Sequence, residues 1–245
     1  LRTLADSKAI ITAAMSGKRA VVIGASFIGL EVAASLRQRG TEVTVVAPES
    51  LPLERILGSE LGEMIMAVHE SHGVVFRLGA SVQSITADSV QLGDGTTLPC
   101  DFVVVGVGVR PDVSLAAEAG ITVENGVVVK PTLETSAPNV FAAGDIASWP
   151  DPRSGRIRVE HWVVAQRQGQ TAARNILGAN EPFTLTPFFW SRHFHLSINY
   201  VGHASRDDTR EIDGDPMKHE CTVRYRAATG TVDAGEIVMR PVESA

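Results

Sequence analysis

Gly24-Ala25-Ser26-Phe27-Ile28-Gly29 is the stretch whose residue types and spacing point most directly to chemistry. It begins where a short apolar run, Arg19 to Gly24, hands over to a helical pattern carrying Phe27, Ile28, Leu30, Ala33, Ala34 and Leu36. Gly24 permits a tight turn there, and Gly29 lets the helix lie close against the strand. The first N–H groups of such a helix are aimed at a pyrophosphate, so the chemistry is the binding of a dinucleotide. Ser26 replaces the middle glycine of the G-x-G-x-x-G spacing, which narrows the backbone's approach but adds a hydroxyl that could donate to phosphate. A sharp strand-to-helix turn with no ligand is the competing reading.

Gly144-Asp145 closes a second candidate segment, Thr135-Ser136-Ala137-Pro138-Asn139-Val140-Phe141-Ala142-Ala143-Gly144-Asp145. A tight glycine followed by a carboxylate suits close approach to a hydroxyl-bearing ligand, with an ordinary turn as the alternative. His193, His195 and His203 invite a metal reading, because alternate strand positions share a face. No cysteine or carboxylate has matching ligand spacing around them, so no metal site is expected. Cys100 and Cys221 form no Cys-x-x-Cys and read as small packing residues in a reducing setting. No Ser-His-Asp set or paired carboxylates are evident, and no side-chain catalytic group is assigned.

The elements that position these residues follow from length and pattern. A chain of 245 residues holds one large or two smaller domains. A net charge of -6 disfavours nucleic acid as the main partner. No apolar run approaches a membrane span and no signal peptide is evident, so a cytoplasmic protein without membrane contact is expected. A helical lead, Leu1 to Ser16, precedes the first strand, and the helix after Gly24 is capped at Gly40. Glu42 to Ala47 completes a β-α-β unit. Ser59 to Ser71 forms a helix with Leu61, Met64, Ile65 and Val68 on one face, stopped at Gly73. Val74 to Arg77, Ser81 to Ile85 and Ser89 to Leu92 are short strands, and the Gly93-Asp94-Gly95 turn leads into one strand over Thr97 to Gly106.

Arg110-Pro111 marks a first boundary, since the residue before proline is pushed out of helical geometry. A short helix over Leu115 to Ala119 and an Asn125-Gly126 hairpin lead to a buried strand ending at Asp145. Arg153-Ser154-Gly155-Arg156-Ile157-Arg158 reads as a basic loop, and Trp162 to Leu177 as a helix ended by Gly178. Pro182 and Pro187 bracket a second boundary. The remainder to Ala245 alternates as an antiparallel sheet, with Asp207, Asp208, Glu211, Asp213 and Asp215 as a solvated hairpin tip.

Gly-Ala-Ser-Phe-Ile-Gly-Leu-Glu at 24 to 31, Gly-Val-Gly-Val-Arg-Pro at 106 to 111, the segment ending at Asp145 and Glu160-His161-Trp162 occur in a set order. That ordered set resembles the ferredoxin, rubredoxin and putidaredoxin reductase branch of the flavoprotein pyridine nucleotide oxidoreductases, with relatives similar to apoptosis-inducing factor. The resemblance runs from Leu1 to about Gly202. It implies an α/β fold class with three parts: a Rossmann-like NAD(P)-binding domain over 1–108, the second part of an FAD-binding domain over 109–183, and a small C-terminal α+β domain over 184–245.

The resemblance also implies roles. Gly24, Ala25, Ser26, Phe27, Ile28 and Gly29 would hold the nicotinamide dinucleotide, and Glu31 would lie near the nicotinamide carboxamide, with an ordinary first-turn helix carboxylate as the alternative. Where an acidic ribose ligand is expected, at the end of the second strand, Ala47 stands, and Glu49 two residues on could take its place, which favours NADH over NADPH, with a solvated loop carboxylate as the alternative for Glu49. Gly108 would let the chain pass close to the flavin, Gly144 and Asp145 would meet the flavin's ribityl and pyrophosphate part, and Glu160, His161 and Trp162 would lie against its ring. Trp190, in Phe188-Phe189-Trp190-Ser191, would line the route for electrons, with core packing as the rival account for it and for Trp162.

The implied activity is an FAD-dependent NAD(P)H oxidoreductase that delivers electrons to a ferredoxin or Rieske-type iron–sulfur protein. Arg153, Arg156, Arg158 and Arg192 could meet such an acidic partner, though ordinary solvated arginines are the alternative for that loop. A homo-oligomer is left open. Family members carry a second glycine-rich turn for FAD ahead of the point where Leu1 stands, so this stretch is expected to bind the nicotinamide cofactor better than FAD. A truncated, non-catalytic dinucleotide-binding or redox-responsive interaction protein is the alternative function.

Overall fold

The computed structural model describes residues 1–205, 208–227 and 233–241. Helix α1 (Leu4–Ser16) leads into strand β1 (Arg19–Ile23), helix α2 (Phe27–Gln38) and strand β2 (Glu42–Ala47). A one-turn helix α3 (Glu54–Leu57), which carries no apolar period of its own, precedes α4 (Ser59–Ser71) and β3 (Val74–Leu78). The short strands β4 (Val82–Ile85), β5 (Ser89–Leu92) and β6 (Thr97–Pro99) follow, then β7 (Phe102–Val105). Strands β1, β2, β3 and β7 form one parallel sheet in the order β3-β2-β1-β7, while β4, β5 and β6 form a separate antiparallel sheet.

The parallel sheet is buried on both faces, as its unbroken runs of valine require. Val22, Val43 and Val45 pack with Ala33 and Leu36 of α2. Val21 and Val46 face the opposite way, onto Val90, Leu92 and Cys100 of the small sheet. The single strand expected over Thr97 to Gly106 is therefore two strands in two sheets. Asp101 interrupts it: its carboxylate accepts the Lys18 and Arg19 N–H groups at 2.8 and 2.9 Å, pinning the crossing point between the layers.

The next unit comprises α5 (Ser114–Glu118), β8 (Val123–Glu124), β9 (Gly126–Val128), β10 (Ala147–Asp151), β11 (Gly155–Ile157) and α6 (Trp162–Ile176). Its strands run in the order β11-β10-β9-β8, and Val164 and Ala172 of α6 cover Val127, Ala147 and Trp149. No strand ends at Asp145. Phe141 makes only an isolated bridge to Glu134, the chain turns at Gly144 with φ +83°, and β10 starts afterwards. The expected basic loop at 153–158 is partly strand, because β11 folds back antiparallel on β10.

The last unit is a five-stranded antiparallel sheet of β12 (Phe188–His193), β13 (Leu196–Gly202), β14 (Thr209–Asp215), β15 (Glu220–Arg226) and β16 (Asp233–Pro241), ordered β12-β13-β16-β15-β14. One face packs Leu196, Ile198, Val223, Ile237 and Met239 against Leu61, Met64, Ile65 and Val68 of α4. Each such fully buried aliphatic side chain contributes about 1.5–3 kcal/mol, so this seam joins the sheet firmly to the first unit. Glu211, Asp213 and Asp215 lie within edge strand β14 rather than at a hairpin tip, Asp208 sits just before it, and Asp207 lies outside the described residues. A charged edge strand resists pairing with other chains. Among the described residues no helix is long and apolar enough to cross a membrane.

Candidate functional site

The turn from β1 into α2 is held by three glycines packed backbone to backbone. Gly24 has φ +109°, and a Cβ there would stand 2.4 Å from the Gly106 carbonyl oxygen. A Cβ on Gly29 would stand 2.1 Å from the Gly24 oxygen, so α2 starts closer to the sheet than any side chain permits. Ser26 occupies the N-cap position, yet its hydroxyl makes no cap. Instead it donates to the Gly106 carbonyl at 3.2 Å, at the edge of the cleft. The consequence is an α2 N-terminus whose first N–H groups are left for an anion. Ala25 is buried and its carbonyl accepts the Leu53 N–H at 3.2 Å, tying the loop after β2 to the turn. Glu49, two residues beyond β2, stands 3.8 Å from Arg55.

Ser26, Phe27, Ile28 and Glu31 line one wall of a cleft of about 1030 Å³. Glu160, His161 and Trp162 at the start of α6, together with Trp190 of β12 and Gly108, line the rest. The volume is at the upper end of small-molecule sites, which run to roughly 1,000 Å³. A second cavity of about 640 Å³, bounded by Lys18, Arg19, Glu42 and Asp101, lies at the amino ends of β1 and β2. Ligands of parallel sheets bind beyond the carboxyl ends of the strands, which is where the first cleft lies.

Two indoles stand exposed along the cleft: Trp162 is 72% exposed and Trp190 48%, with ring centroids 6.0 Å apart. Neither is a core aromatic. Phe189, the alternate neighbour on β12, turns inward to meet Phe27 at 5.0 Å, His161 at 4.3 Å and Tyr200 at 5.3 Å. Gly108 has φ +90° and nothing within 4 Å of where its Cβ would be. The positive φ by itself favours glycine at 108, and the open space beside it leaves room for a ligand close to the backbone.

Gly144 and Asp145 lie outside the cleft lining but are tied to it. The buried side chain of Gln168 on α6 accepts the Gly144 N–H at 2.7 Å. Arg158 donates to the Asp145 carbonyl at 2.9 Å, to the Glu160 carboxylate at 2.7 Å and to Asn125 at 3.2 Å. Arg156 donates to the Val129 and Ser148 carbonyls. Arg158 is thus a half-buried clamp and Arg156 an exposed residue whose guanidinium is engaged by backbone, and of the expected basic contacts Arg153 and Arg192 are exposed. Gln168 and the clamp made by Arg158 escaped the sequence, since nothing in residue type marks a polar side chain that binds backbone rather than water.

Electrostatics separates the two sides of the cleft. Burial pushes the Glu31 carboxyl up, and a hydrogen bond from Ser191 opposes it. His161 is pushed down to about 4, chiefly by burial and then by His203 nearby. His193 is fully buried and His195 exposed, so these two do not share a face; among the described residues no group of three ligands could hold a metal. The buried His161 Nδ1 and Gln168 Nε2 have no partner among the described residues. His161 lines the cleft, and a buried nitrogen left without a partner there fits a site that a bound group completes. With the uncapped α2 start and the open backbone at Gly108, it fits a dinucleotide and a flavin.

The family model described as pyridine nucleotide-disulphide oxidoreductase matches residues 1–169. The ferredoxin–NAD(+) reductase component of the anthranilate 1,2-dioxygenase system of Burkholderia cepacia is 35% identical over 243 residues, which is 97% of this chain and 60% of that protein. The crystal structure of the ferredoxin reductase for the CYP199A2 system from Rhodopseudomonas palustris superposes with a TM-score of 0.91 at 34% identity, covering 98% of this chain and 60% of that one. A covalent putidaredoxin reductase–putidaredoxin complex gives 0.91 at 30% identity, covering 98% of this chain and 59% of that one. The chain thus spans about three-fifths of these relatives' length. With the Rossmann-like turn, the two-walled cleft and the antiparallel C-terminal sheet in place, this chain belongs to the pyridine nucleotide-disulphide oxidoreductase family, in its ferredoxin reductase branch.

Proposed function

We propose that the chain works in an NADH-dependent flavoprotein oxidoreductase that passes electrons through FAD to an iron–sulfur protein. The observation that carries this reading is that Glu31, on the dinucleotide side, and Glu160, His161, Trp162 and Trp190, on the flavin side, line one cleft. The division into 1–108, 109–183 and 184–245 belongs to the same reading. Hydride acceptance and one-electron delivery are the chemistry FAD supplies when bound.

The chain's own residues bind and orient. The N–H groups at the start of α2 hold the NADH pyrophosphate, with Gly24 and Gly29 giving clearance. Glu49 accepts from the adenosine ribose, and Glu31 accepts from the nicotinamide carboxamide. The turn at Gly144-Asp145 serves the flavin's ribityl and pyrophosphate portion. The α6 N-terminus, with Glu160, His161 and Trp162, faces the flavin ring, where its dipole favours negative charge. Trp190 covers the ring's exposed edge. Arg153 and Arg192 are the cations left to meet an acidic iron–sulfur partner, and the neighbour joined to putidaredoxin supports that class of acceptor.

The test is reconstitution. The purified chain, supplied with FAD, is assayed for bound flavin absorbance, NADH-dependent ferricyanide reduction and ferredoxin-dependent cytochrome c reduction. Retained yellow colour with NADH-driven reduction supports the proposal. A chain that binds NADH yet stays colourless and reduces nothing overturns it and leaves a non-catalytic dinucleotide-binding or redox-responsive interaction protein.

A further inference from the structure

Behind Glu31 a line of polar side chains runs into the interior, where nothing in the cleft requires it. Ser191 Oγ on β12 donates to Glu31 Oε1 at 2.5 Å across 160 residues of sequence. The same oxygen lies 3.0 Å from His193 Nε2, and His193 Nδ1 lies 3.1 Å from His69 Nε2 on α4. Ser191, His193 and His69 are each at most 1% exposed. The line ends at His69 Nδ1, which is buried and has no partner among the described residues. The rings of Phe76 and Phe194 stand edge-on to His69 at 6.1 and 5.1 Å.

The number of protons on this line determines its direction. Burial pushes His193 down to about 4 and His69 to about 3, the latter helped by His193 and then His72, so each imidazole carries a single N–H near neutral pH. Ser191 has one O–H, and an ionised Glu31 can only accept it. Ser191 Oγ must then accept from His193 Nε2–H, which leaves His193 Nδ1 bare to accept from His69 Nε2–H. The atom left over is then His69 Nδ1 without a proton, an unpaired acceptor. Reversing every bond would leave an orphaned N–H in an apolar cage instead, and buried N–H groups without partners are the rarer and costlier kind. Because the line stops there, it cannot conduct a proton to solvent and serves to orient.

We propose that Ser191, His193 and His69 are positioning residues for Glu31, forming a one-way chain of hydrogen bonds, His69 to His193 to Ser191 to Glu31, that holds the carboxylate ionised at the cleft wall. What Glu31 then meets rests on the NADH reading above, but the direction of the chain does not. Besides Ser191, the charged and titratable groups that line the same cleft as Glu31 are Arg55, Arg158, Glu160, His161, Arg192, Tyr200 and His203. His72 is the titratable neighbour of His69, stacked on Phe194 at 3.9 Å.

The experiment is nitrogen NMR of the ¹⁵N-histidine-labelled chain between pH 6 and 8, with carboxyl carbon titration of Glu31, both without nucleotide. The expected result is His193 and His69 both protonated at Nε2 and bare at Nδ1. Ser191→Ala should raise the Glu31 pKa by about one to two pH units, the scale of one hydrogen bond to a charged group. His193→Leu should raise it too, while His193→Gln, whose amide can donate to Ser191 and accept from His69, should restore it. An Nδ1–H tautomer at either histidine, a cationic His193 at pH 7, or a Glu31 pKa unmoved in Ser191→Ala overturns the proposal. NADH titration of the same samples separates the readings: correct tautomers with no NADH binding would sink the proposed function and leave the chain of bonds standing.

Discussion

The Gly144 N–H donates to the side-chain oxygen of Gln168, 2.7 Å away and 24 residues later in sequence, so the turn at 144–145 is positioned by α6 and not by a strand. Ala165 of the same helix lies 3.4 Å from where a Gly144 Cβ would be. The helix whose first residues line the cleft therefore also holds the turn that precedes Asp145.

Gln168→Leu removes the acceptor of a buried N–H. The expected cost is about 1–3 kcal/mol in urea unfolding, with weaker flavin retention. Unchanged stability would mean that the turn holds itself.

Gly29→Ala and Gly108→Ala should separate packing from ligand clearance. A methyl at 29 meets the Gly24 carbonyl oxygen at 2.1 Å, so the α2 start must shift, costing about 1–3 kcal/mol and most NADH affinity. A methyl at 108 meets no protein atom, and its φ of +90° costs about 1–2 kcal/mol. Calorimetry together with flavin titration should show the second variant losing cofactor affinity out of proportion to its stability.

Arg158→Lys should weaken the site although charge is retained. Lysine cannot reproduce the guanidinium fork that meets the Asp145 carbonyl, Glu160 and Asn125 together. A loss of about 1.5–3 kcal/mol is expected by chemical unfolding, the worth of a charged hydrogen bond. A variant as stable as the parent would show that the Asp145 turn does not depend on the clamp.

Glu49 and Arg55 should set the choice of nucleotide, because a carboxylate repels a 2′-phosphate and the guanidinium 3.8 Å away attracts one. NADH should bind better than NADPH, and Glu49→Gln should narrow the gap by titration of tryptophan fluorescence. If NADPH binds better and Arg55→Ala abolishes that advantage, Arg55 is the ribose-end determinant.

Stability should fall on mild acidification. His69, His161 and His193 have folded values of about 3, 4 and 4, below the ordinary 6.5, so the unfolded chain takes up protons first. Their contribution is complete above pH 6.5 and is lost as pH falls from there towards 4. Each contributes a slope of about 1.4 kcal/mol per pH unit in that window. Urea midpoints at pH 7.5, 6 and 5 should decline, and less steeply in His69→Gln.

The sequence by itself determined the β-α-β unit, the amphipathic face of α4, the glycine turn and the antiparallel C-terminal sheet. These rest on local periodicity and on glycine's freedom of φ, which are properties of short stretches of chain. Only the tertiary structure decided that Thr97 to Val105 serves two sheets, that α4 and the C-terminal sheet share one core, and that the Ser26 hydroxyl bonds the Gly106 carbonyl. It also turned Arg158 and Gln168 from surface-type residues into clamps, and linked Ser191 and His193 to Glu31. The physical reason is that a hydrogen bond or a packed face is defined by both of its partners. When those partners stand 24 to 160 residues apart, no window of sequence contains the pair.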